Sequence, residues 1–106
     1  EKLKPLIKKD TILVSVMAVN NETGAINPIK EIAKYLSNYR NIVFHSDVTQ
    51  AIGKLDLPYD DIDMISFSGH KIHGLNSSGA LILRKNISLL FFGNNACYNF
   101  NSLLRE

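Results

Sequence analysis

Cysteine is nearly absent from this chain: among its 106 residues Cys97 is the one thiol, so no internal disulfide can form and the paired spacing of a zinc site is missing. A reducing compartment, the cytoplasm, is the expectation. No apolar run approaches the ~20 residues that cross a bilayer, and Glu1-Lys2-Leu3-Lys4-Pro5 lacks the apolar core of a signal peptide. A soluble protein with no membrane partner is expected. Charge of one sign is also scarce: the net charge is +2 and the lysines are scattered, which argues against nucleic acid as a partner. What the chain does have is 45% hydrophobic content, which suits one small globular domain.

Apolar runs and turn formers alternate along it. Glu1 to Asp10 is lysine-rich with Leu3, Leu6 and Ile7 at roughly helical spacing, and reads as the end of a helix or a lead-in loop. Thr11 to Met17 is apolar and rich in β-branched residues, which predicts a strand buried on both faces of a parallel sheet. Asn20-Asn21-Glu22-Thr23-Gly24 breaks it. Ile29, Ile32, Ala33 and Leu36 then repeat at helical intervals behind Pro28, with Asn27 as the expected cap and an end near Tyr39.

Ile42 to Phe44 supplies the second strand, Ala51-Ile52-Gly53-Lys54 a short helical turn, and Met64 to Phe67 the third strand. Strand, helix, strand in this pattern implies a crossover between parallel strands. Gly79 to Lys85 is the fourth strand, expected antiparallel to the third because the connection from Ile72 to Ser78 is too short for a helix. After Asn86 the apolar Leu89-Leu90-Phe91-Phe92 gives way to Asn94, Asn95, Asn99 and Asn101, and no element is assigned.

The chemistry-bearing residues cluster where the strands should stop. In open α/β sheets, ligands collect beyond the carboxyl ends of parallel strands, so Asn21, Asp47 and Lys71 are expected on one rim. A free lysine amine, with a pKa near ~10.4, is a poor nucleophile at neutral pH, but a desolvated pocket and an aldehyde partner change that. Pyridoxal phosphate is the usual such aldehyde. It needs a carboxylate at its ring nitrogen, for which Asp47 is the candidate, and amide donors at its phenolic oxygen, which Gln50 and Asn21 could supply. Ser68 and His70 could serve its phosphate.

Ile12-Leu13-Val14-Ser15-Val16-Met17, Asn20-Asn21-Glu22-Thr23-Gly24, His45-Ser46-Asp47-Val48-Thr49-Gln50, Gly53-Lys54, Ser66-Phe67-Ser68-Gly69-His70-Lys71 and Gly79-Ala80-Leu81 stand in an order that resembles the class V aminotransferases, and within them the cysteine desulfurases. The resemblance runs from about residue 11 to residue 85. It implies a partial large domain of a fold type I transferase dependent on pyridoxal phosphate, an α/β fold with a mostly parallel sheet and flanking helices. It implies Lys71 as the residue that holds the cofactor and moves a proton at the substrate's α-carbon. Asp47 would pair with the ring nitrogen, Gln50 with the phenolic oxygen, Asn21 with the ring region, and Ser68 and His70 with the phosphate. For the parent enzyme it implies L-cysteine as substrate, alanine as product, and sulfur leaving as a persulfide to an acceptor scaffold in iron–sulfur cluster assembly. A homodimer is implied too.

Departures from the family pattern set the expectation of a fragment with weak or no turnover alone. The upstream phosphate loop and ring-stacking histidine, and the downstream catalytic cysteine loop, have no counterpart in the sequence. The turn Gly74-Leu75-Asn76-Ser77 replaces a glycine, proline, lysine, glycine turn, and Leu104 stands where a phosphate-binding threonine is expected. Cys97 falls where the family has a glycine-rich segment and reads as a small apolar residue. Three other readings compete: a selenocysteine lyase or other class V member, a non-catalytic remnant or interaction fragment, and a first-row metal site drawn from His45, Asp47, His70 and His73. Against the metal, no open coordination position or general base is apparent.

Overall fold

The computed structural model describes residues 1–73, 77–87, 90–93 and 96–99, the last two stretches as backbone. Four strands form one sheet in the order β1 (Leu13–Ser15), β2 (Val43–Asp47), β3 (Met64–Ser68), β4 (Gly79–Leu83). The first three run parallel, with Val14 beside Phe44 and Ser46 beside Ile65, and β4 closes antiparallel on β3. Helix α1 (Ile29–Leu36) joins β1 to β2 and buries Ile29, Ala33 and Leu36, the stripe that its spacing predicts. These side chains pack with Val14, Phe44, Val48, Ala51, Ile62 and Ile65 into one core on one face of the sheet. Among the described residues α1 is the α-helix that flanks the sheet, and none is long and apolar enough to cross a membrane.

Three expectations need correction. The first strand is not buried on both faces: Val14 points into the core, while Leu13 is 51% and Met17 40% exposed, because α1 covers the other side of the sheet. Its extended course is nonetheless longer than its strand bounds, since Val43 N–H donates to Ile12 O, and Val16 and Ala18 donate to His45 O and Asp47 O. Asn27 does not cap α1. Its side-chain amide donates instead to Met17 O at 2.8 Å, Pro28 takes the cap position, and the helix proper ends at Leu36 with a looser turn running on to Tyr39. Glu1 to Asp10 contains a 3-10 turn, Lys4–Leu6.

The tail contains two strands where none was assigned. β5 (Leu90–Gly93) and β6 (Ala96–Asn99) pair antiparallel, Phe92 beside Cys97. Their runs are four residues each and are flanked by asparagines, so the turn signal outweighs the apolar one. Gly74, Leu75, Asn76, Asn94, Asn95, Asn101 and Leu104 lie outside the described residues.

Candidate functional site

Each parallel strand delivers its following turn to the same rim. After β1 the chain folds into a loop organised by Asn20, whose Oδ1 accepts N–H bonds from Glu22 and Thr23 at 2.9 and 3.0 Å. Gly24 closes it at φ +70°, a left-handed conformation that a side chain disfavours. Asn21 is exposed on this loop.

After β2, Val48 and Ala51 are fully buried and act as anchors, with Val48 N–H donating to Ser66 O at 2.9 Å. The short turn that follows ends at Gly53, φ +72°, close to the sequence expectation. Just before and between the anchors, Asp47 and then Thr49 and Gln50 remain half-buried. Asp47 Oδ1 accepts the Thr49 N–H at 2.9 Å, and Thr49 Oγ1 accepts the Ser68 N–H at 3.2 Å.

β3 ends in a 3-10 turn, Gly69–Ile72, that carries His70 and Lys71 and stops at His73 in a left-handed conformation. Gly69 is buried and its N–H donates to Ser78 O at 2.8 Å; a Cβ there would collide with Ser78 Oγ, so the lysine turn is pressed against the start of β4. The parallel arrangement brings the three turns together. One cleft of about 320 Å³ is lined by Met17, Val19, Asn21, Asp47, Thr49, Gln50, Ser68, His70 and Lys71. Every residue singled out in the sequence as a candidate for the cofactor site lies on it, whereas His45 and His73 of the metal reading do not line it. Its rim is not desolvated, however, because Lys71 and His70 are exposed in this chain while Asp47, Gln50 and Ser68 are half-buried.

Two residues of this face make bonds that the sequence does not announce. One is Thr49, whose hydroxyl and N–H reach both turns. The other is His45, whose Nδ1 bonds Ser15 Oγ at 2.7 Å and whose Nε2 bonds Ser66 Oγ at 2.8 Å, so that one imidazole bridges three adjacent strands. A neutral ring presents one donor and one acceptor, and serine hydroxyls complement either. Ser66 is in turn the register partner of Asp47. Both His45 nitrogens are thus engaged by hydroxyls, and among the described residues no group of three His, Cys, Asp or Glu side chains is placed to hold a metal ion.

A polar cleft at the carboxyl end of a parallel α/β sheet is the ligand-binding arrangement of open-sheet proteins. The family model described as aminotransferase class-V matches residues 1–95, and the chain belongs to that family. It is 52% identical over 87 residues to the cysteine desulfurase IscS of Rickettsia prowazekii, an alignment that covers 80% of this chain and 21% of that protein. Against the mitosomal cysteine desulfurase of Trachipleistophora hominis the identity is 47% over 87 residues, covering 80% of this chain and 20% of the relative. A solved NifS-like protein superposes with a TM-score of 0.72 at 37% identity, over 81% of this chain and 24% of that one. The chain therefore spans about a fifth to a quarter of the proteins it matches. The family and the cysteine desulfurases within it depend on pyridoxal phosphate.

Proposed function

We propose that this chain is the cofactor-holding part of a cysteine desulfurase-type enzyme, one partial large domain whose site is the cleft beyond β1, β2 and β3. The observation that carries the reading is the convergence of Lys71, Asp47, Gln50, Asn21, Ser68 and His70 on that one cleft. The donor set fits pyridoxal phosphate: a primary amine for its aldehyde, a carboxylate for its ring nitrogen, amides for its phenolic oxygen, and a hydroxyl and an imidazole for its phosphate. When bound, this cofactor supplies an electron sink for the substrate's α-carbon.

Lys71 would hold the cofactor through Nζ and move a proton at the α-carbon. Asp47, its Oδ1 already fixed by the Thr49 N–H, keeps lone pairs for a protonated pyridine nitrogen. Gln50 and Asn21 would donate to the phenolic oxygen, and Ser68 and His70 to the phosphate. In the whole enzyme the C–S bond of L-cysteine breaks, alanine leaves, and sulfur passes as a persulfide to an acceptor scaffold for iron–sulfur clusters, with two subunits paired as a homodimer. A reducing compartment such as the cytoplasm suits that chemistry. Cys97, on β6, is not assigned as the persulfide carrier, and the chain alone is expected to turn over weakly or not at all.

A second reading, a non-catalytic interaction fragment, draws on the exposed apolar side chains of the sheet and its approaches, Ile12 at 71% and Leu13 at 51%. Titration with pyridoxal phosphate separates the two. The cofactor reading predicts a saturable visible absorption band that Lys71→Ala abolishes. A band of equal strength in Lys71→Ala would leave the interaction reading.

A further inference from the structure

Thr49 joins the two halves of the cleft. Its N–H donates to Asp47 Oδ1 at 2.9 Å, which sets the direction of the carboxylate at the end of β2. Its Oγ1 accepts the N–H of Ser68 at 3.2 Å, and Ser68 is the last residue of β3, three positions before Lys71. The neighbouring Val48 N–H to Ser66 O bond, 2.9 Å, carries the β2–β3 ladder up to this point, and the Thr49 hydroxyl extends it past the end of the regular strands. Without that hydroxyl the contact between the two turns loses its last hydrogen bond among the described residues, and the half-buried Ser68 N–H loses its acceptor. Threonine suits the task because its branched Cβ restricts χ1 and holds the hydroxyl in one direction.

We propose that Thr49 is a positioning residue that clamps the carboxylate turn to the lysine turn and so fixes the separation of Asp47 and Lys71 across the cleft. The proposal rests on the cofactor reading of that cleft. Thr49→Val removes the hydroxyl at nearly constant shape, and Thr49→Ser keeps it, so a clamp is broken by the first and restored by the second.

The test uses the whole chain and two measurements. Amide hydrogen exchange, made without cofactor, should show Ser68 exchanging about 5- to 30-fold faster in Thr49→Val, the equivalent of one lost hydrogen bond. The core amide of Phe44 should change far less, and Thr49→Ser should return Ser68 to within about twofold of the starting chain. Titration with pyridoxal phosphate should show the dissociation constant raised by a similar about 5- to 30-fold in Thr49→Val with a displaced absorption maximum, both recovered in Thr49→Ser. Unchanged exchange at Ser68, or an equal rise at Ser68 and Phe44, would overturn the clamp. Faster exchange at Ser68 with cofactor binding and spectrum unchanged would overturn the positioning role while the cofactor reading stands. A starting chain with no band at all would overturn the cofactor reading and the positioning role with it, and the exchange data would still report whether the two turns are tied.

Discussion

Opposite rims of the sheet each hold a half-buried aspartate, and the two are used differently. At the amino rim Asp63, just before β3, has both oxygens engaged: Oδ2 accepts the Phe44 N–H at 2.9 Å and Oδ1 lies 3.5 Å from the Arg84 guanidinium. Its backbone adds Asp63 N–H to Phe44 O and Arg84 N–H to Asp63 O, so this one residue ties β2, β3 and the end of β4 together. At the carboxyl rim Asp47 takes one N–H, from Thr49, and faces a cleft that also holds an amine and two amides. The cleft at the amino rim is the larger, about 510 Å³ against about 320 Å³. Size does not single out the candidate site. What differs is the aspartate on each lining: Asp63 is paired with Arg84, whereas Asp47 has no ion-pair partner among the described residues.

That contrast can be broken by exchanging which rim is damaged. Asp63→Ala orphans the Phe44 N–H and removes the ion pair, whose partly exposed charges add little on their own, so a loss of about 2–3 kcal/mol is expected in urea unfolding. Asp47→Ala removes one local N–H bond and should cost about 1 kcal/mol or less in the same experiment, yet it should displace the spectrum of bound pyridoxal phosphate, which Asp63→Ala leaves alone. Equal stability losses, or a spectrum indifferent to Asp47, would erase the difference between the rims.

His45→Ala sharpens it on the open face, where loss of both serine bonds should cost about 1 kcal/mol and loosen the amides of β1 in hydrogen exchange. The smallest effect is expected beside the lysine turn. Ser77 sits at φ +63°, where glycine is at ease, so Ser77→Gly should gain up to about 1 kcal/mol in thermal unfolding; a destabilised variant would show that the serine contacts outweigh its backbone strain.

The succession of the four strands along the chain was legible because each apolar run is bounded by polar turn formers, and the gathering of candidate site residues followed from parallel strands all ending at one rim. The antiparallel fourth strand followed from the length of its connection alone. What could not be read was long-range: Ser15 and His45 are 30 residues apart, His45 and Ser66 are 21 apart, and no local signal reports a hydrogen bond between strands before their register is known. Thr49 stands in the same motif as Asp47, but its partner Ser68 lies 19 residues on, so nothing local marks its role. The exposed face of β1 is not legible either, because an apolar run tells that a strand has a buried side, not whether the second side is covered.

Borohydride reduction of the chain with pyridoxal phosphate, followed by peptide mapping, tests the central claim most directly. The account predicts that the label falls predominantly on the peptide carrying Lys71 and that Asp47→Ala weakens this preference. Label spread evenly over Lys2, Lys8, Lys30, Lys54 and the other lysines would contradict it.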